Sequence, residues 1–187
     1  MADADWLSEP EQRAWRRTAA VMTLLPAALD AQLQRDAGLT QFSYLVLAML
    51  SEAPARTMPM SELASTVSSS LSRLSHVVSR LEQQGWVARE PCLRNGRVTM
   101  ARLTDAGTEK VVTTAPGHAA EVRRLVVDAV GCERIADLDA ITGTILRAVD
   151  PGGRMRANPL RSDGPCSEAA QRVSADEARD GSPTGRG

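Results

Sequence analysis

The segment from Ser68 to Gly85, SSSLSRLSHVVSRLEQQG, constrains the fold more than any other part of the chain. On a helical projection its apolar residues fall within about a third of the circumference, which is the width of a face that packs on a core. These residues are Leu71, Leu74, Val77, Val78 and Leu81. The opposite side carries short hydroxyls and basic side chains: Ser69, Ser72, Arg73, His76, Ser79, Arg80 and Gln83. Because repeated serines lower helix propensity, this face is typical of a helix that contacts a polar partner, and a serine-rich solvated face is the alternative.

The residues on either side of this helix predict a compact motif. Gly85 is placed to end the helix, and strands are expected at residues 86–90 and 98–103. Asn95-Gly96 between them predicts a type I′ turn, whose two central residues need positive φ. Residues 59–67 predict a short helix ahead of the serine-rich one. The chain therefore has, in order, a short helix, a turn, a polar-faced helix and a basic hairpin. This is the order of elements in a winged helix-turn-helix.

Charge is distributed unevenly along the chain. The formal net charge is −1, yet residues 56–104 contain seven arginines against three glutamates, and both flanking segments up to residue 150 are acidic. Neutralisation of phosphates supplies much of the affinity of proteins for DNA. The pattern therefore favours a DNA-binding lobe at residues 56–104, which we call the reading lobe, on an acidic scaffold.

Serine, arginine and histidine bond both phosphates and base edges, so the polar face of the helix is expected in the major groove of duplex DNA. The residues expected nearest the bases are Ser69, Ser72, Arg73 and His76, and those expected at phosphates are Ser70, Ser79 and Arg80. The hairpin, or wing, is expected to place Arg97, together with Arg94 and Asn95, at the adjacent minor groove.

The rest of the chain up to residue 150 predicts helices. One long helix is expected over residues 8–36 with an interruption at Pro26, because proline lacks a backbone N–H. A second helix, capped by Thr40, is expected over residues 41–51, and a third, capped by Thr104, to about residue 115, with a bend or restart at Pro116-Gly117. A last helix over residues 133–149 is expected to bury an apolar stripe: Ile135, Leu138, Ile141, Ile145 and Leu146.

These elements predict one mainly α domain with a small β wing, at residues 8–150, between two appendages. Residues 1–7 are expected to be flexible. Residues 151–187 are rich in Gly, Pro and Ser and nearly lack apolar side chains, so they are expected to be disordered. The N-terminus has neither the charge nor the apolar run of a leader, and no stretch is long enough to span a membrane, so a cytoplasmic protein is expected.

Catalysis and metal binding find no support in the sequence. None of the common hydrolase, P-loop or dinucleotide-binding motifs occurs, so neither an enzyme nor a cofactor is expected. Cys92, Cys132 and Cys166 lack the spacing of a metal site and are expected to be free thiols. Cys92, beside the basic wing, is also a candidate for oxidant sensing.

The segments MSELA, SRLSHVVSRLEQQGW, the arginine-tipped wing and LTDAG at residues 103–107 resemble, in order and spacing, the MarR-type bacterial transcription regulators. The resemblance covers about residues 8–150 and is specific through 60–107. The family's wing usually carries Asp-x-Arg, whereas this chain has Asn95-Gly96-Arg97. Asn95 can hydrogen-bond a neighbouring backbone group but cannot form the ion pair that would fix Arg97.

The resemblance implies a homodimer formed by the first and last helices, acting as a repressor on a pseudo-palindromic operator. It also implies a small effector, often aromatic or phenolic, between the reading lobe and the dimer helices. Trp15, Met22 and His118 are candidate neighbours of that effector, although they fit core or surface positions equally well. The alternative function is a winged-helix protein-interaction module that does not bind DNA specifically.

Overall fold

The computed structural model describes residues 6–92 and 95–153. Arg94, Cys166 and nearly all of the expected tail lie outside the described residues. The helices are α1 (Glu9–Ala37), α2 (Gln41–Glu52), α3 (Met60–Thr66), α4 (Leu71–Gln83), α5 (Asp105–Val122), α6 (Asp128–Val130) and α7 (Ile135–Val149). The strands are β1 (Thr57–Pro59), β2 (Val87–Cys92) and β3 (Asn95–Leu103). Short 3-10 turns occupy Pro54–Arg56 and Cys132–Arg134, and a π-helical turn, Arg123–Val127, joins α5 to α6.

The reading lobe shares one apolar core with helix α2, which precedes it in the chain. Helices α2, α3 and α4 pack with a three-stranded antiparallel sheet in the order β1-β3-β2. Its fully buried large side chains include Leu47, Leu50, Leu63, Leu74 and Leu103. Because burial of one such side chain stabilises a fold by about 1.5–3 kcal/mol, this core fixes the orientation of α4. The predicted mainly α fold with a small β wing is confirmed.

Helix α4 is shorter than the sequence predicts. It begins at Leu71, with the Ser70 hydroxyl accepting a hydrogen bond from the Arg73 backbone N–H at 3.2 Å. Ser68 lies before the helix with a left-handed φ of 48°. Consecutive serines favour turns and caps over helix interior, which explains the later start. Leu71, predicted to pack on the core, is 53% exposed, so that prediction is wrong.

The C-terminus of α4 follows the prediction for Gly85. Gly85 has a φ of 74°, its N–H donates to the Glu82 carbonyl, and the Trp86 N–H donates to the Leu81 carbonyl. These two bonds form a Schellman motif, in which a residue without Cβ adopts the left-handed conformation at no steric cost. The chain thereby reverses directly into β2, which places the wing beside α4.

The turn of the wing lies elsewhere than predicted. Cys92 of β2 pairs with Asn95 of β3, so Asn95 and Gly96 are strand residues, and neither has a positive φ. The prediction of a type I′ turn at these two residues is therefore wrong. The register of the ladder shifts between Pro91 and Cys92. A strand irregularity of this kind accommodates extra residues on one strand, and here it brings Asn95 into the ladder.

Neither helix breaks at its proline. Helix α1 continues through Pro26, and α5 continues through Pro116 to Val122, so α5 neither ends near residue 115 nor restarts at Pro116. A kink at Pro26 and a bend at Pro116 stay predictions. A proline removes one backbone donor, but the remaining bonds of a long helix persist. Both predicted N-caps are confirmed: the Thr40 hydroxyl accepts from the Ser43 N–H at 3.1 Å and the Thr104 hydroxyl from the Gly107 N–H at 3.0 Å.

The outer helices leave apolar side chains uncovered. No residue of α7 is buried in the chain, and Ile141 and Ile145 are 60% and 49% exposed. The prediction that this stripe is buried is wrong for the single chain. The N-terminal half of α1 likewise exposes Trp15 and Met22. Among the described residues, no helix is both long and apolar enough to cross a membrane.

Candidate nucleic-acid interface

The polar face of α4 projects from the reading lobe. Ser72, Arg73, His76 and Arg80 are exposed along it, and Ser69 and Ser70 lie in the turn that precedes it. Arg73 and Arg80 are seven residues apart, so they emerge on the same side of the helix about two turns apart. Six of the residues predicted to contact DNA therefore lie on one continuous surface.

Arg73 is held by an aromatic ring rather than by an acid. Its guanidinium carbon lies 4.6 Å from the centroid of the Phe42 ring, at the start of α2. A cation at this distance from an aromatic face is attracted by the ring quadrupole. Phe42 is half-buried and packs against the core of the lobe, so the contact ties Arg73 to a fixed element.

Ser79, which is predicted to contact a phosphate, contacts a basic residue within the chain that no sequence pattern singled out. Arg89 on β2 donates to the Ser79 hydroxyl at 3.0 Å. The same guanidinium donates to Glu82 Oε2 at 2.7 Å, and the Arg89 backbone N–H donates to Glu82 Oε1 at 2.9 Å. This cluster braces α4 against the wing. The sequence carries one sign of this cluster: Glu82 and Arg89 lie seven residues apart on either side of Gly85. The chain reverses at Gly85 and so brings the two side chains together.

The wing presents Arg97 in an exposed position on β3. The Asn95 side-chain oxygen accepts a hydrogen bond from the Arg97 backbone N–H at 3.2 Å. The expected hydrogen bond between Asn95 and a neighbouring backbone group is thus confirmed. It fixes the backbone of Arg97, whose guanidinium forms no ion pair with any of the described residues. Arg94 lies outside the described residues.

Ion pairs divide the arginines of the reading lobe into two groups. Three are paired with acids: Arg56 with Asp105, Arg89 with Glu82 and Arg102 with Glu90. In the described part of the lobe, Arg73, Arg80 and Arg97 form no ion pair. The seven arginines counted in the sequence therefore overstate the charge available to a polyanion, and the available charge is concentrated on α4 and the wing.

A pocket of about 290 Å³ separates the first turn of α4 from the wing. Its walls combine apolar, hydroxyl and guanidinium groups: Met60, Ser61, Leu71, Ser75, Arg89, Arg97, Val98 and Thr99. The exposed Leu71 forms part of this wall. The pocket marks the cleft between the two surfaces that carry the unpaired arginines.

The residues predicted near an effector do not all come together. His118 on α5 packs on Tyr44 of α2 with ring centroids 4.8 Å apart, and its Nδ1 lies 3.4 Å from Gln32 Oε1 of α1. Burial lowers the pKa of His118 below its ordinary value. Met22 precedes Gln32 by ten residues, about 15 Å along an α-helix, and Trp15 lies farther away. Gln32 and Tyr44 carry no signal in the sequence, because only the packing of α1, α2 and α5 brings them to His118.

One of the cysteines differs from the expectation. Cys92 is disulfide-bonded, so the prediction of a free thiol is wrong there, whereas Cys132 is free and exposed. Sequence spacing carries no information on which cysteines meet in the fold, which explains the error. Within residues 6–92 and 95–153, no three His, Cys, Asp or Glu side chains are grouped so that they could hold a metal ion.

Known proteins share this architecture. The family model described as MarR matches residues 39–99. Sco3205, a MarR family transcriptional regulator from Streptomyces coelicolor solved in complex with DNA, is 42% identical with a TM-score of 0.74, over 79% of this chain and 92% of that one. AbsC, a MarR family transcriptional regulator from the same organism, is 38% identical with a TM-score of 0.73, over 78% of this chain and 98% of that one. Apo MarR from E. coli shares the fold at 19% identity, with a TM-score of 0.61 over 76% of this chain and 99% of that one. No curated protein sequence matches the chain.

Proposed function

The chain belongs to the MarR family of transcriptional regulators, and from that premise we propose that it binds duplex DNA sequence-specifically as a homodimer and acts as a ligand-responsive repressor. One observation carries the proposal: the unpaired arginines of the described reading lobe lie only on the exposed face of α4 and on the wing. The DNA-bound state of Sco3205, 92% of which the match covers, supports the same assignment.

In the proposed complex, α4 enters the major groove. The residues nearest the bases are Ser69, Ser72, Arg73 and His76, and those that contact phosphates are Ser70, Ser79 and Arg80. The wing brings Arg97, with Arg94 and Asn95, to the minor groove. The exposed α4 surface has the donors that base edges and phosphates accept. Ser79 can reach a phosphate only if it shares its hydroxyl with Arg89, which donates to it at 3.0 Å.

We propose that the apolar faces of α1 and α7 form the dimer interface of a domain that spans residues 8–150. Both helices expose large apolar side chains, and exposed apolar patches often mark sites of protein–protein contact. These side chains are Trp15, Val21, Met22, Leu24, Ile141, Ile145 and Val149. A two-fold dimer would bind a pseudo-palindromic operator with half-sites about 10 bp apart. Sedimentation should show a particle of twice the 20.0 kDa chain mass, and a monomer at micromolar concentration would contradict this assembly.

A small aromatic or phenolic effector is proposed to act between the reading lobe and the dimer helices. The packing of His118 on Tyr44, beside the buried Gln32, supports this location because the three residues come from α5, α2 and α1. Trp15 and Met22 remain predicted neighbours of the effector. A regulator of this kind would act in the cytoplasm, where the chromosome lies.

Fluorescence anisotropy with two labelled duplexes tests the function. One duplex comes from the promoter region beside the gene, and the other has the same composition in scrambled order. At fixed salt, the promoter duplex should bind at least about 10³-fold more tightly, as specific DNA-binding proteins do. Equal affinities would refute sequence-specific binding, and binding to neither duplex at low salt would favour the protein-interaction module.

A further inference from the structure

We infer that Phe42 is a positioning residue for DNA recognition: it holds the guanidinium of Arg73 in place on the surface of α4. The inference rests on the proposed function. Its structural basis is the 4.6 Å separation between the guanidinium carbon of Arg73 and the centroid of the Phe42 ring, which joins the start of α2 to the first turn of α4.

Both ends of this contact are fixed by the fold. Phe42 is the second residue of α2. The N-terminus of α2 is held by the Thr40 cap and by Asp30 of α1. The Asp30 Oδ1 accepts a hydrogen bond from the Gln41 N–H at 2.7 Å. The backbone of Arg73 is fixed by the Ser70 cap. The ring therefore gives the long arginine side chain a second point of attachment beyond its own backbone.

A ring restrains an arginine without using its donors. Arg89 has its guanidinium donors engaged by Glu82 and Ser79, so few remain for a ligand. Arg73 forms no ion pair within the described residues, and the attraction of a ring acts on the charge and leaves the N–H groups available. A bidentate contact with guanine requires such donors in a fixed orientation. Phe42 supplies this orientation before DNA arrives.

Arg80 provides an internal comparison. It lies on the same side of α4 as Arg73, is exposed, and forms no ion pair in the described part of the chain. Neither of the two cation–π contacts found among the described residues involves it. Of these two arginines on one helix face, only Arg73 is therefore restrained by an aromatic side chain, and substitution of Phe42 should affect the two differently.

A double-mutant cycle on the full chain tests the inference, with affinity for the promoter duplex and its scrambled counterpart as the readouts. An exposed cation–π contact corresponds to a factor of about 2–5 in affinity, so Phe42→Leu should weaken promoter binding by about 5- to 30-fold for a dimer. Affinity for the scrambled duplex should change by less than about 2-fold, because nonspecific binding depends on charge. Phe42→Tyr retains an aromatic face and should restore wild-type affinity.

The cycle separates positioning from a purely structural role. In an Arg73→Ala background, Phe42→Leu should cause no further loss, whereas in an Arg80→Ala background it should cause its full loss. Equal losses in both backgrounds would overturn the inference, as would wild-type affinity of Phe42→Leu. If Phe42→Leu does not fold, the Phe42→Tyr variant decides: weakened promoter binding with an unchanged melting temperature would overturn it. Failure of the wild-type protein to discriminate the two duplexes would refute the proposed function itself.

Discussion

Removal of Arg97 should lower the salt dependence of DNA binding, whereas removal of Arg102 should not. Both arginines lie on β3. Arg97 is exposed and forms no ion pair within residues 6–92 and 95–153, whereas Arg102 forms an ion pair with Glu90. An arginine already neutralised by a carboxylate releases few counterions when it approaches a phosphate. The two substitutions to alanine therefore remove equal formal charge from one strand but unequal contact with DNA.

The size of the salt dependence follows from the number of arginines without an ion pair in the described part of the reading lobe. Each arginine that enters a groove or meets a phosphate brings one positive charge to the DNA surface, so each is counted as neutralising one phosphate. Arg73, Arg80 and Arg97 then give six such contacts in a dimer, and the logarithm of the binding constant should fall with a slope of about −5 against the logarithm of salt concentration. Arg97→Ala removes two of these contacts and should reduce the slope to about −3.6. Between 50 and 200 mM salt, wild type should lose affinity by about 10³-fold and the variant by about 10²-fold.

The assay is fluorescence anisotropy with the promoter duplex over this salt range, with Arg102→Ala as the matched control. The control should keep the wild-type slope within about 0.5. If both variants reduce the slope equally, ion pairing within the lobe does not determine which arginines reach DNA. If Arg97→Ala leaves the slope unchanged, the wing does not contact DNA.

Three further predictions concern stability. Gly107→Ala should lower the free energy of unfolding, measured by urea titration, by about 1–3 kcal/mol, because the alanine Cβ would lie 2.1 Å from the Trp86 carbonyl oxygen. An unchanged urea midpoint would contradict that packing. Ser68→Gly should raise the free energy of unfolding by about 1 kcal/mol, since Ser68 has a left-handed φ of 48°. The same substitution at Ser69, which has no positive φ, should not stabilise the fold. A lower free energy of unfolding for Ser68→Gly would refute the argument. Burial lowers the pKa of His118, so the unfolded chain binds its proton first as pH falls, and stability should decrease as the pH falls through about 6.5, the ordinary pKa of histidine. A His118→Gln variant with the same pH dependence in thermal melts would show that another group is responsible.

Local chemistry in the sequence predicts the order of elements well. The caps at Thr40 and Thr104 and the glycine reversal at Gly85 depend on near neighbours, and all three appear in the structure. The apolar stripe of α4 is also found, with Leu74 and Leu81 buried. Hydrophobic periodicity and cap residues therefore predict the elements of the reading lobe, because each signal involves residues only a few positions apart.

Features that depend on distant contacts could not be predicted in this way. Phe42 meets Arg73 across 31 positions of sequence, and the sequence gives no sign of that contact. Pro26 and Pro116 reduce local helix propensity, but packing between α1 and α5 keeps both helices continuous. The wing turn was misplaced because Asn-Gly is a local signal, whereas the register of β2 and β3 depends on the whole ladder.

The most direct test of the proposed function is a hydroxyl-radical footprint of the wild-type protein on its own promoter DNA. The account predicts two protected patches related by pseudo-two-fold symmetry, with centres about one helical turn or 10 bp apart, because each protomer presents one α4 and one wing. Arg97→Ala should remove protection at the outer, minor-groove edges and leave the centres protected. A single asymmetric patch, or uniform protection along the duplex, would contradict the account.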